Sequence, residues 1–292
     1  MTNRLIFKGI SRLRFNNFFK SDEDCYEYLS KMKWNGDTFI CKRCGNTHHC
    51  KGHLPFSRRC TRCKYDESPT AGTMFDKIKF PLLTAFHIIF EICIQEEGTS
   101  SAMLSKKYGV RQKTVWAFKQ KVHQALDNQG INRLDGTVFI SDFCVDAHSN
   151  FQQGNIALIV GEILSNGEIG KAYSYFVECK SPVNIRRFFE KHISIDTKVF
   201  INNNKEYGLY ASNYNIENCE NCSISTLIQS HILNVRNWLY RMHRHCSSEY
   251  IQGYLNEYYY RFNGRNNKST MFDNFIELMM HNHPVRDSTI SK

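Results

Sequence analysis

Cys41-Lys-Arg-Cys44 and Cys60-Thr-Arg-Cys63 form a CxxC-x15-CxxC pattern, and this pair of knuckles constrains the chain more than any other feature. Two such knuckles bring four thiolates to the corners of a tetrahedron, and their spacing lies in the zinc-ribbon range. Four thiolates favour a redox-inert, tetrahedral ion that tolerates soft ligands, so Zn2+ is the expected structural metal. His48, His49, Cys50 and His53 lie between the knuckles. They could offer an alternative ligand, but they read as loop residues, because four cysteines already close a structural site. A second CxxC, Cys219 to Cys222, has no matching pair, and Cys246 does not complete a site. These three read as buried or idle thiols.

The charge is as uneven as the cysteines. Residues 1–64 hold 14 basic and 5 acidic side chains, a balance of +9 out of a net +10 for the whole chain. Residues 136–230 carry 7 basic and 10 acidic side chains, a balance of −3. This excludes a uniformly basic, histone-like protein and points to a basic docking module joined to a different kind of domain.

At 292 residues, 41% hydrophobic and 13% aromatic, the chain has enough apolar side chains for two or three cores, which excludes wholesale disorder. Met1 to Ile10 has no apolar signal region. The apolar stretch Phe80 to Ile94 is interrupted by Thr84, His87 and Glu91 and is too short for a bilayer. Twelve cysteines without a secretion signal fit a reducing compartment. The expectation is an intracellular protein with no membrane partner, nuclear if the host is eukaryotic.

Periodicity predicts a short helix over 22–34, loops and hairpins over 39–75, a buried helix over 80–94, and two helices over 99–127 broken at Gly109. After residue 136 the pattern turns to strands: Val138–Val145, Ile156–Leu164 and Tyr173–Cys179, with Asn166-Gly167 as a hairpin turn. A helix over Val183–Ile193, a strand Lys198–Ile201, a long helix Ser225–Cys246 and helices near 248–262 and 270–281 follow. The order β-β-β-α-β-α describes an α/β domain with three meandering strands, as in ribonuclease-H-like folds. The expected organisation is a helical segment 1–38, a zinc ribbon 39–76, a helical region 77–130, an α/β domain 136–265, and a C-terminal helix and tail 266–292.

Ser100 to Trp116 reads as helix, glycine turn, helix, with Leu104, Val110, Val115 and Phe118 as its small core. Arg111, Gln112, Lys113 and Thr114 then start the second helix, the end that enters a major groove in helix-turn-helix proteins. Lys119 and Lys121 are the expected phosphate contacts, and Lys106 and Lys107 complete the expected DNA-binding set. An ordinary helical hairpin with solvated charges is the plainer alternative.

Taken in order, the motifs resemble a family. They are the four-cysteine ribbon, Ser68-Pro-Thr-Ala-Gly-Thr-Met-Phe75, the helix pair, Ile140-Ser-Asp142 with Gly154 twelve residues later, Val160-Gly161, and Tyr254-Leu-Asn-Glu-Tyr-Tyr-Tyr-Arg-Phe-Asn263-Gly-Arg265. Over roughly residues 25–265 the chain resembles transposases of the Merlin superfamily and the related bacterial ISXO-like insertion sequences. The resemblance implies a ribonuclease-H-like domain in which two acids and a third Glu or Asn hold two Mg2+ for DNA strand cleavage and transfer. Mapped onto this chain, the catalytic positions are Asp142, Asn202 and Asn237. Asn at the third place occurs in the wider family, whereas Asn202 at the second is a departure. Asn keeps a carbonyl ligand but brings no charge, and Mg2+ is held poorly without carboxylates. Glu206 is the better substitute acid and Asp146 the poorer one.

The leading expectation is a transposase-like DNA-binding protein derived from a mobile element, with strand transfer weakened or lost. It would recognise double-stranded element terminal repeats and work as a homo-oligomer. An alternative is an active Mg2+-dependent transposase. A second alternative is a zinc-ribbon module for protein or RNA contacts, although no RNA-binding signature is present.

Overall fold

A computed structural model describes residues 6–35, 38–127, 133–145, 155–201, 207, 214–219, 223–242 and 247–283. They fall into two compact units, residues 1–128 with 267–292 and residues 129–266.

In chain order the first unit contributes helices α1 (Arg12–Phe18) and α2 (Asp22–Lys33), strands β1 (His49–Lys51), β2 (Arg58–Cys60) and β3 (Asp66–Glu67), and helices α3 (Leu82–Ile94), α4 (Ser101–Tyr108) and α5 (Gln112–Asp127). The second unit contributes β4 (Thr137–Cys144), β5 (Ile156–Ile163), β6 (Ile169–Val177), α6 (Pro182–His192), β7 (Lys198–Ile201), β8 (Asn215–Asn218), α7 (Ser223–Met242) and α8 (Ser248–Gly264). The chain then returns to the first unit with α9 (Lys268–His281).

Local chemistry sets the helix starts in the first unit. Ser21 and Asp24 make a reciprocal capping box at the head of α2, and acids in its first turn and Lys31 and Lys33 in its last suit the helix dipole. Around α3 and α9 the core is aromatic: Phe7, Phe15, Phe19, Phe86, Phe90 and Phe272 are all buried. The stacked Phe15 and Phe90 rings lie 4.3 Å apart. The C-terminal helix, expected to stand with the tail, is thus part of this core. Its Asp273 accepts a hydrogen bond from the Tyr28 hydroxyl of α2.

In the second unit β4, β5 and β6 meander antiparallel, while β7 lies parallel to β4 on its other side and β8 parallel to β7. The strand order is β6-β5-β4-β7-β8. Alternation sorts the side chains by face. Val138, Ile140, Leu158 and Val160 pack with Ile185, Phe188 and Phe189 of α6. Phe139, Phe143, Ala157 and Ile159 pack on the other face with Ile232 and Val235 of α7 and Ile251 and Leu255 of α8. Gly167 takes φ 81°, as the expected Asn166-Gly167 turn requires. Gly161 is demanded by a close approach, since a Cβ there would sit 2.5 Å from the Phe139 ring.

Two differences from the sequence expectation stand out. β6 starts at Ile169, four residues before the expected Tyr173. A fifth strand, β8, escapes a reading of the sequence: Asn-Ile-Glu-Asn carries one apolar side chain and no readable alternation, and parallel pairing to β7 makes it a strand.

The motif Tyr254 to Arg265 also acquires a structural role. β6 is an edge strand, and α8 satisfies its outward backbone groups. The Asn263 amide accepts from the Ala172 N–H at 2.9 Å and donates to its carbonyl at 3.0 Å. Gln252 accepts from the Phe176 N–H at 2.8 Å and donates to the Ser174 carbonyl at 3.0 Å. A helix thereby covers an edge that would otherwise offer itself to another strand.

Candidate metal centre and functional site

Each cysteine knuckle closes through a tight backbone turn. The Gly45 N–H donates to the Cys41 carbonyl and the Lys64 N–H to the Cys60 carbonyl, and both Gly45 (φ 71°) and Lys64 (φ 60°) lie in the left-handed region. The four sulfur atoms gather within 4.8 Å of one another, with Cys41 and Cys63 3.5 Å apart and Cys44 and Cys60 3.6 Å apart. A tetrahedral zinc with bonds of about 2.3 Å places its sulfurs about 3.8 Å apart, so the set fits the ion. Burial opposes the Cys60 thiolate. The Cys63 N–H and the Asn46 amide nevertheless donate to its sulfur and lower its pKa, while Cys63, crowded by the other three sulfurs, is raised. Among the described residues no other group of three or more His, Cys, Asp or Glu side chains comes together.

The histidines between the knuckles have other work. His49 packs edge-on against Phe39 at 5.2 Å, and a ring nitrogen of His53 lies 2.7 Å from the Arg59 guanidinium. Helix α2 is tied to the ribbon through Lys33, which reaches the buried Glu67 at 2.8 Å and donates to the Ser68 and Ala71 carbonyls. The Arg58 guanidinium lies 4.8 Å over the Trp34 ring. Arg43, Lys51, Arg62 and Lys64 remain exposed.

The comparisons with known proteins fall on this part of the chain. Residues 20–66 match the transposase zinc-ribbon domain. The matched segment begins just ahead of α2, consistent with Lys33 and Trp34 binding that helix to the ribbon. No curated protein matches the chain. Among solved structures, a cryo-EM structure of the simian T-cell lymphotropic virus intasome in complex with PP2A regulatory subunit B56 gamma aligns at 9% identity. It covers 66% of this chain and 72% of that one at a TM-score of 0.32, a likeness too loose to bear on fold or function.

Beyond the ribbon lies the helix pair. Ser100 caps α4 by accepting from the Met103 N–H at 3.1 Å, Gly109 ends it at φ 67°, and α5 starts two residues after Val110. Leu104, Val115 and Phe118 are buried. Lys106, Arg111, Gln112 and Lys113 are exposed and Thr114 is half-buried. Lys107 is drawn to Glu91 of α3, which also holds Arg12 at 2.6 Å and accepts from the Tyr108 hydroxyl. Two expected phosphate contacts are corrected. Lys119 is 3% exposed and donates to the Thr99 carbonyl, and Lys121 donates to the Met74 and Asp76 carbonyls. Both ammonium groups serve the interior.

Asp142 lies on the central strand β4, on the face shared with Val138 and Ile140. Its Oδ1 accepts from Lys180 Nζ at 2.9 Å and from the Tyr207 hydroxyl at 2.7 Å. The Lys180 ammonium also sits 4.9 Å from the Tyr207 ring centre. Nothing in the sequence singles out Lys180 or Tyr207, because neither belongs to a motif with metal-ligand spacing. Asn237 is an exposed residue of α7, the helix packed on the opposite face of the sheet. Asn202, Glu206 and Asp146 lie outside the described residues, as do Cys222 and Cys246. Cys219 is buried, one of the two readings given to it, but it is disulfide-bonded rather than a free thiol. No helix among the described residues is long and apolar enough to cross a membrane.

Proposed function

We propose that the chain is a transposase-like DNA-binding protein derived from a mobile element, docking on the element's terminal repeats, with strand transfer weakened or lost. The observation that carries this reading is the four-cysteine centre inside a segment that matches the transposase zinc-ribbon domain. Three features support its finer parts. The exposed Lys106, Arg111, Gln112 and Lys113 around the Gly109 turn suit a helix-turn-helix entering a major groove. Three antiparallel strands, a crossover helix and a parallel strand beside the first suit a ribonuclease-H-like unit. In that unit Asp142 would be the acid remaining from a metal-binding set whose second place holds Asn202, while Asn237, on the helix of the opposite face, is not part of it. Transposases of this kind act as multimers on paired ends, so a second copy belongs to the reading.

The test is incubation of the purified protein with its own element's ends and Mg2+ or Mn2+. Salt-dependent duplex binding without new 3′-hydroxyl nicks is the expected result. Nicks that vanish in Asp142→Ala would establish an active transposase instead.

A further inference from the structure

We propose that Lys180 is the resident cation of Asp142 and that its ammonium group keeps divalent metal out of this site. The inference rests on reading the second unit as transposase-derived, since that reading is what makes a divalent ion expected at Asp142.

With an ammonium bonded to its carboxylate, the Asp142 site as it stands does not fit Mg2+. That ion demands near-octahedral oxygen ligation and favours carboxylates. One of the two Asp142 oxygens, Oδ1, is already the acceptor for two donors, an ammonium at 2.9 Å and a phenol at 2.7 Å. A divalent ion seated on the carboxylate would lie within a few ångströms of a like charge in a half-sheltered site, where water screens poorly. Lys180 and Asp142 are only 15% and 16% exposed, so neither charge is left to bulk solvent.

The ammonium is also held in place. Lys180 sits between the end of β6 at Val177 and the start of α6 at Pro182. The neighbouring Ser181 accepts from the Asn184 N–H at 3.3 Å, and the Asn184 amide donates to the Cys179 carbonyl at 3.0 Å. That staple fixes the root of the lysine on both sides. The Tyr207 ring, fully buried beside Phe189, forms the wall over which the ammonium lies. A cation over an aromatic face, bonded to a carboxylate, is a complete arrangement without metal.

The experiment uses the full-length, zinc-loaded protein and Mn2+ alone as probe, with free Mn2+ read by electron paramagnetic resonance. The wild type is expected to show no Mn2+ site that depends on Asp142. Lys180→Met should gain one site, at least tenfold tighter than any residual wild-type Mn2+ binding, that disappears in Lys180→Met/Asp142→Asn. Lys180→Arg keeps the charge and should gain none. Lys180→Gln, which keeps a donor without the charge, is the second neutral variant should the methionine variant fail to fold. Wild-type Mn2+ binding lost in Asp142→Asn would overturn the proposal, and so would a folded neutral variant that gains no site. Failure of the protein to bind duplex DNA would instead overturn the function proposed above and leave the Mn2+ result standing.

Discussion

Lys119 donates from Nζ to the carbonyl oxygen of Thr99 at 2.6 Å, and this bond takes a lysine of the expected DNA-facing helix into the protein interior. Lysine ammonium groups are rarely buried unless paired, so the bond is a structural commitment. Lys119→Ala should therefore lower stability by about 2 kcal/mol, the range for a hydrogen bond to a charged group, and leave the salt dependence of DNA binding unchanged. Lys113→Ala, at an exposed position of the same helix, should do the reverse. Its thermal midpoint should hold, while duplex affinity falls and the slope of log affinity against log salt drops by about one. Denaturant melts and binding titrations at two salt concentrations separate the two roles.

Zinc removal gives a second contrast. Cys41→Ser, or a strong chelator, should unfold residues 39–75 and abolish duplex binding, because a module this small draws its folding energy from the metal. Cys50→Ser should change neither, since Cys50 is exposed and stands outside the sulfur cluster. Acidification should release one zinc per chain, counted with a chromophoric chelator. Release of two would contradict a single four-cysteine centre.

Legibility in the sequence follows the range of the interactions. The cysteine knuckles, the Gly109 break and the Asn166-Gly167 turn are readable because spacing and local backbone preference decide them. Lys119 is readable in principle. It lies four residues after Val115 and three before Val122, on the stripe that α5 buries, but a lysine in a helix-turn-helix pattern reads first as a phosphate contact. The pairing of Lys180 with Asp142 spans 38 residues and that of Tyr207 with Asp142 spans 65, so only the assembled sheet brings them together. The C-terminal helix is legible as a helix, whereas its place beside Tyr28 depends on a hydrogen bond 245 residues long in sequence.

Asn263 tests the edge-covering role of α8. Asn263→Ala leaves the N–H and carbonyl of Ala172 without their partners, a cost of about 1–3 kcal/mol for each group that water cannot reach. The second unit should lose stability accordingly, and exposure of the β6 edge should promote self-association at high concentration. Asn263→Asp retains only the acceptor half and should fall between the wild type and the alanine variant. Chemical denaturation with light scattering checks both effects, and an alanine variant as stable and monodisperse as the wild type would remove α8 from this role.

Acid should weaken the second unit well before ordinary carboxylate titration, because it holds two buried neutral histidines. Burial pushes His192 of α6 down to about 3, with Lys191 adding to the effect. Its ring packs 4.8 Å from Phe188, and neither ring nitrogen has a hydrogen-bond partner. Burial likewise pushes His231 of α7 down to about 4, with Arg265 contributing. In the unfolded chain both titrate near 6.5. Between about pH 6.5 and 4 the unfolded state therefore binds more protons than the folded one, and stability falls as pH falls. Each histidine contributes up to about 1.4 kcal/mol per pH unit inside that window and nothing above it. Hydrogen exchange at β4 and β5 amides, which reports this unit apart from the ribbon, should be flat above about pH 7.5 and then weaken with a slope approaching two protons. His192→Phe should reduce that slope by about one proton, and an unchanged slope in the variant would show that His192 is already protonated in the fold.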